Sequence, residues 1–244
     1  YSSYYIHSQN NETGTGGSTA SVLFYPGIES KVYIANAGDS ATIIAAFSNS
    51  RKESTIVYQN RKHKPHLEDE RQRIENAGGQ VMIPPSLLRG DTNSPGLKDT
   101  SRLIIPSANG FGSMALAMSR SIGDFDGKAV GLIAEPDVDV WDVRQHYQAH
   151  QFDRKQELDT QWFAVIASDG VYDMLAPEKV VEYLGRSLFD GHSSGTIISP
   201  LEACERLIRE ASRLWKKESS LSMGGMQYRD DITLGVSKID FPSM

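Results

Sequence analysis

Residues 162–175 read WFAVIASDGVYDML. The first seven, WFAVIAS, form a near-continuous apolar run rich in β-branched and aromatic side chains. A strand that is apolar on both faces is one buried on both faces. At its exit this run delivers Asp169-Gly170, and Asp173 follows four residues after Asp169. One turn of helix there puts both carboxylates on the same side. The stretch therefore predicts a buried central strand with acidic side chains at its end.

Working outward, other short apolar runs supply partners for that strand. On the N-terminal side they are SVLFY (21–25), KVYIANA (31–37), ATIIAAF (41–47) and STIVYQ (54–59). Pro26-Gly27 and Gly38-Asp39-Ser40 punctuate them, which predicts a meander of antiparallel strands. Two further strands are predicted at VGLIAEP (130–136) and ITLGVSKI (232–239). Helices are predicted at 66–77, closed by Gly78-Gly79, at 177–188, and at 200–217. The last opens with Ser199-Pro200-Leu201-Glu202, an N-cap serine, a proline in the first turn and an early glutamate. Residues 9–18 read as a flexible loop, 85–110 as a mobile flap and 142–160 as a polar surface excursion. There is no internal repeat. Strands dominate over a few amphipathic helices, so the expected fold is α+β, a layered β-sandwich carrying helices.

Composition narrows the function. The chain has 244 residues, 39% apolar and 23% charged, an ordinary globular balance that excludes a disordered tail, a collagen-like fibre and a disulfide-stapled miniprotein. A net charge of −6 argues against nucleic acid, whose phosphates need a basic face. The single cysteine, Cys204, excludes an intramolecular disulfide and fits a reducing compartment, so an intracellular, cytoplasmic or nuclear location is expected. No apolar run reaches the length of a membrane span, and no membrane association is expected. A monomer is the default. The first residue is Tyr1 rather than Met, so the expectation is that the sequence starts inside a longer chain.

The informative pattern is acidic residues at strand ends. Asp169 and Asp173 follow one strand, Asp230-Asp231 precede the last, Asp39 sits between two others, and Asp124 closes Ser119-Arg120-Ser121-Ile122-Gly123-Asp124. Carboxylates converging without cysteine and with few histidines suit hard divalent ions, Mg²⁺ or Mn²⁺, rather than zinc. Two such ions about 4 Å apart can activate a water and stabilise an in-line phosphoryl displacement. Taken singly, an Asp before Gly most often closes an Asx turn, and sequence order alone does not show convergence.

Other signals carry less. Gly191-His192-Ser193-Ser194-Gly195 matches a nucleophile elbow, but a helix precedes it and no histidine follows His192. Phe189-Asp190-Gly191-His192 ends a helix, where Gly191 reads as a C-cap. His146 and His150 are spaced like a zinc pair but lack the intervening glutamate, so a solvated surface is the better reading. Gly14–Gly17 leads into a strand, with no helix N-terminus for a phosphate. Cys204 lies on an apolar stripe and reads as core. Arg120 and Arg229 could attract phosphate or serve in ion pairs.

Five blocks, in order, resemble the type-2C metal-dependent Ser/Thr protein phosphatases (the PPM family). They are GGSTASVLFY, KVYIANAGDSA, HKPHLEDERQRIENAGGQV, MALAMSRSIGDFDGK followed by EPDV, and FAVIASDGVYDML followed by RDDITLGV. The resemblance implies one phosphatase domain over 1–244, with two antiparallel sheets face to face and helices outside in four layers, α-β-β-α. It implies two Mg²⁺ or Mn²⁺ ions, phosphoprotein substrates, and hydrolysis of phosphoserine and phosphothreonine by a metal-activated water without a phosphoenzyme. It makes Asp169 and Asp230 metal ligands and gives Asp39 and Asp173 to a third, weaker site; Asp124 lies near the centre but is not taken as a ligand, and His63 is assigned no chemistry. The sequence departs from the family at Ala41, commonly Arg, and at Asp231, commonly Asn. The family's first blocks carry a phosphate-binding Arg, an acidic ligand and an Asp-Gly-His-Gly-Gly turn that are not found in residues 1–15. The expectation is a chain seen incompletely; the alternative is an inactive phosphatase-like domain serving as a protein-binding scaffold.

Overall fold

The computed structural model describes residues 16–85, 101–106, 113–190, 198–221 and 230–241. Contacts divide the chain into two compact units, one of residues 1–19 with 63–135 and a larger one of 20–62 with 136–244.

The larger unit holds two antiparallel sheets. One pairs β2 (Ala20–Phe24), β3 (Lys31–Ala37) and β10 (Asp137–Asp142) in the order β10-β3-β2. The other pairs β4 (Ala41–Ser48), β5 (Glu53–Gln59), β11 (Thr160–Ala167) and β12 (Leu234–Ile239) in the order β12-β11-β4-β5. Side chains alternate along a strand, so each central strand feeds two cores. Ile44, Trp162 and Ala164 pack between the sheets against Val32 and Ile34. Ile43, Ala45, Phe47, Phe163 and Val165 face the other way, onto helices α6 (Pro177–Phe189) and α7 (Pro200–Leu221). The apolar stripe of α6 buries Val180, Val181, Leu184 and Leu188, each worth about 1.5–3 kcal/mol of transfer free energy. The serine hydroxyl at the start of α7 accepts from the Glu202 N–H, as its sequence requires, and Cys204 lies in the core. Within this unit the described residues give the succession helix, sheet and sheet. The outer face of β10-β3-β2 carries the rows Val138–Ala35–Val22 and Val140–Tyr33–Phe24, with Val22, Phe24, Val138 and Val140 all more than half exposed.

The predicted meander over 21–59 is divided. β2-β3 belong to one sheet and β4-β5 to the other, and the chain crosses at Gly38-Asp39-Ser40. The reason lies in burial: β3 is apolar chiefly on one face, whereas nearly every residue of β4 is buried. The strand predicted at 130–136 is only an isolated bridge between Arg120 and Ile133. Gly131 takes a left-handed φ of 95° there, and the strand begins after Pro136, at Asp137. The excursion at 142–160 holds helices α3 (Val143–Ala149) and α4 (Arg154–Asp159). α4 starts with a capping box between Asp153 and Gln156.

The smaller unit pairs β6 (Gln80–Met82), β7 (Arg102–Pro106) and β8 (Ser113–Leu116) in that order, with α1 (Glu68–Asn76) and a short α2 (Phe125–Lys128). Ile74, Leu103, Ile105 and Leu132 form its core. β7 corrects the reading of 85–110 as one structureless flap, because Leu103 and Ile105 are buried; residues 86–100 and 107–112 lie outside the described residues. A two-residue ribbon joins β1 (Gly17–Ser18) to β9 (Ile122–Gly123), so 9–18 is not loop throughout. Glu70 on α1 is fully buried and receives hydrogen bonds from Arg73, Arg120 and Ser119. Burial alone would raise its pKa, but those three donors more than reverse this and hold it at about 2. Arg120 is thus an ion-pair residue (2.6 Å); Arg229 lies outside the described residues.

Candidate metal centre

Three segments bearing predicted ligands meet at one end of the four-stranded sheet. Ala41 opens β4 opposite Ala167, which closes β11 opposite Leu234, which opens β12. Directly beyond that row lie Gly38-Asp39-Ser40 and Ser168-Asp169, and Asp230-Asp231 lie two residues further out, before Ile232-Thr233. Neighbouring strands lie about 4.8 Å apart, so register alone places these backbones side by side.

Each segment is fixed locally. Gly38 adopts a φ of 124°, which lets the chain leave β3. The Asn36 side chain donates to Gly38 O (3.0 Å) and Arg61 O (3.2 Å), and Asp39 is 1% exposed. Just past β11, Ser168 N donates to Thr233 O (3.0 Å), while its hydroxyl donates to Asp231 O (2.7 Å) and accepts from Thr233 N (3.0 Å). Asp169 then opens the short helix α5 (Asp169–Tyr172), and Asp173 N donates to Asp169 O (2.7 Å), so Asp173 follows one turn later. Gly170 is sterically required: a Cβ there would lie 2.3 Å from Asp231 O. Behind the turn, the buried Trp215 indole N–H donates to Gly170 O (2.8 Å). Asp230 accepts from Asp231 N (2.9 Å) and is half-buried.

Trp215 lies in the helix predicted over 200–217, but its bond to the Asp169-Gly170 turn was not legible in the sequence. The signal present was an indole, which needs a partner when buried. Sequence reasoning also missed Lys62, whose Nζ stands 5.5 Å from the Tyr172 ring centre and puts a cation beside α5. The Tyr172 hydroxyl has no hydrogen-bond partner among the described residues, and burial raises its pKa. Asp124, in the smaller unit, accepts from Ser121 Oγ (2.7 Å) and lies so close to Gly17 that a Cβ there would collide with its carboxylate. That is a structural role. His63 is fully buried, and its carbonyl accepts from Ser119 N (3.0 Å).

The donor set is all carboxylate oxygen, which suits Mg²⁺ or Mn²⁺. Asp39, Asp169, Asp173 and Asp230 share one end of the sheet, yet among the described residues no three acidic, histidine or cysteine side chains form a cluster able to hold an ion. Mg²⁺ retains several waters and is commonly bound through only one or two carboxylates, so a site for it need not gather three side chains.

Comparison with known proteins adds to this geometry. Residues 2–218 match the profile of the family described as Protein phosphatase 2C. Probable protein phosphatase 2C 35 of Arabidopsis thaliana is 24% identical over 243 residues, covering 96% of this chain and 59% of the relative. Probable protein phosphatase 2C 45 of Oryza sativa subsp. japonica is 30% identical over 213 residues, covering 87% of this chain and 54% of the relative. The chain thus spans little more than half the length of these relatives. Among solved structures, the serine-threonine phosphatase 2C from Toxoplasma gondii superposes with a TM-score of 0.61 at 19% identity, over 93% of this chain and 60% of that one. A sex determining protein of C. elegans gives 0.53 at 19%, over 93% of this chain and 41% of that one. At such identities the likeness shows the fold.

Proposed function

Because the chain belongs to the protein phosphatase 2C family, we propose that it is part of an enzyme that hydrolyses phosphoserine and phosphothreonine in proteins with the help of Mg²⁺ or Mn²⁺. The observation that carries this reading is the register Ala41–Ala167–Leu234, which lines up the Asp39, Asp169 and Asp230 segments at one sheet end. Asp169 and Asp230 would hold the principal ions, and Asp39 and Asp173 a third, weaker one. When bound, such ions supply a water of lowered pKa and a counter-charge for the phosphoryl oxygens. The protein's part is positional. Gly170, Ser168 and Trp215 lock the Asp169 turn against the Asp231 backbone, so the carboxylate starts near its working place rather than being ordered during turnover.

The test is Mn²⁺-dependent phosphate release from phosphoserine and phosphothreonine peptides by the full-length polypeptide. Asp169→Asn should lower kcat by ~10²-fold or more, since losing a ligand forfeits several kcal/mol of transition-state stabilisation. A folded Asp169→Asn variant turning over at the wild-type rate overturns the metal role. A second reading, a non-catalytic phosphatase-like scaffold, is favoured by the lack of a three-carboxylate cluster among the described residues. It is selected if the folded full-length protein releases no phosphate at any Mg²⁺ or Mn²⁺ concentration.

A further inference from the structure

The two histidines that sequence reasoning left on a solvated surface are packed together. His146 lies in α3 and His150 caps its C-terminus, one turn on. Their ring centres are 4.2 Å apart with planes inclined by 33°. His150 Nδ1 lies 2.9 Å from the His146 carbonyl oxygen, which can only accept, so Nδ1 donates and, in the neutral ring, Nε2 is the nitrogen with the lone pair. This is the backbone bond that commonly orients a metal-binding imidazole. The ring nitrogens of His146 have no hydrogen-bond partner among the described residues. The ring is instead clamped by Trp141, Phe152 and Trp162, with centres 5.7, 5.6 and 5.6 Å away. Both histidines line a cavity of about 320 Å³, which Arg51, Glu53 and Thr55 also line.

The geometry points to a second, independent metal site: a two-imidazole clamp at His146 and His150 for a transition-metal dication of the Zn²⁺, Ni²⁺ or Cu²⁺ class. A metal about 2.1 Å from one nitrogen of each ring would hold the ring centres roughly 4.6 Å apart at a right-angled ligand geometry and roughly 5.3 Å apart at a tetrahedral one, so the 4.2 Å pair opens by about half an ångström or more to take a metal. Imidazole favours these ions over Mg²⁺ and Mn²⁺, so the site differs in ligand chemistry from the carboxylate end of the sheet. The remaining coordination positions open on the cavity and take water. Burial, and then the neighbouring His150, lower the His146 pKa, which favours the neutral ring that binds a metal. Binding would bridge the last turn of α3 and its cap, over the Trp141–Trp162 contact.

The test is titration of the 244-residue chain with Cu²⁺ in excess Mg²⁺, followed by tryptophan emission and by calorimetry. The expected result is one tight equivalent accompanied by quenching, because Trp141 and Trp162 flank His146. His150→Gln, at an exposed position, should weaken this binding roughly 10–100-fold and remove the coupled quenching. His146→Gln should do the same. Asp169→Asn should leave it unchanged, which separates this site from the proposed phosphatase centre. Unchanged affinity in His150→Gln, or binding without quenching of tryptophan, overturns the proposal.

Discussion

Replacing Gly170 by alanine tests the carboxylate end of the sheet with a single methyl group. The new Cβ would stand 2.3 Å from Asp231 O and 3.0 Å from Asp231 C. Both neighbours are backbone, so no side chain can swing aside. Reaching an ordinary 3.4 Å contact requires the two segments to part by about 1.1 Å. That movement strains the Ser168 hydroxyl bonds to Asp231 O and Thr233 N. Overpacking costs about 1–3 kcal/mol. Two weakened hydrogen bonds add about 1 kcal/mol each. The expected loss is therefore roughly 3–5 kcal/mol in urea unfolding. An ångström between reacting groups can cost ~10²-fold, so Mn²⁺-dependent turnover of the full-length protein should fall about that much. Gly235→Ala supplies the control. It lies on β12 with nothing within 4 Å of its Cβ, and the same chemical change there should be nearly silent. If both variants unfold within about 0.5 kcal/mol of each other, the steric argument is wrong.

Three other outcomes are expected. Glu70, held at about 2 when folded against about 4.3 unfolded, contributes stability that is fully present above pH 4.5. That contribution, up to about 3 kcal/mol, should be lost as the pH falls from 4.5 toward 2, read as a declining urea midpoint. Glu70→Gln leaves the buried Arg120 without its counter-ion and should cost about 3–5 kcal/mol at pH 7 while flattening that acid dependence; an unchanged acid profile would show that Glu70 does not carry it. Tyr172→Phe removes a hydroxyl without a partner among the described residues and should be neutral or stabilising by up to about 1 kcal/mol, so a Tm drop of several degrees would reveal a hydrogen bond that the structure does not show.

Much of the frame was legible because it is written in local pattern. WFAVIAS announced a doubly buried strand, and α6 and α7 showed their stripes at helical spacing. What local pattern does not carry is partnership. Nothing in β3 or β4 alone states that the turn between them changes sheets; that follows from β4 meeting both β11 and β5. β7 is five residues between turn-forming segments, too short for its alternation to outweigh its surroundings. Glu70 sits among charges in EDERQR, so its burial depends on Arg120, fifty residues away. The Asp169-Gly170 turn was found by its place after a strand, but Trp215 is forty-five residues distant and enters through tertiary packing. His146 looked solvated because its neighbours in sequence are polar, whereas its neighbours in space are Trp141 and Trp162.

The exposed rows Val138–Ala35–Val22 and Val140–Tyr33–Phe24 have a practical consequence for residues 1–244 handled on their own. An oily plate of that kind governs colloidal behaviour: excluded salts such as ammonium sulfate drive it out of water first. Residues 1–244 should salt out early and cling to phenyl resin. Charging the plate, for instance with Val22→Lys and Phe24→Glu, should reverse both habits while leaving the acidic end of the other sheet untouched.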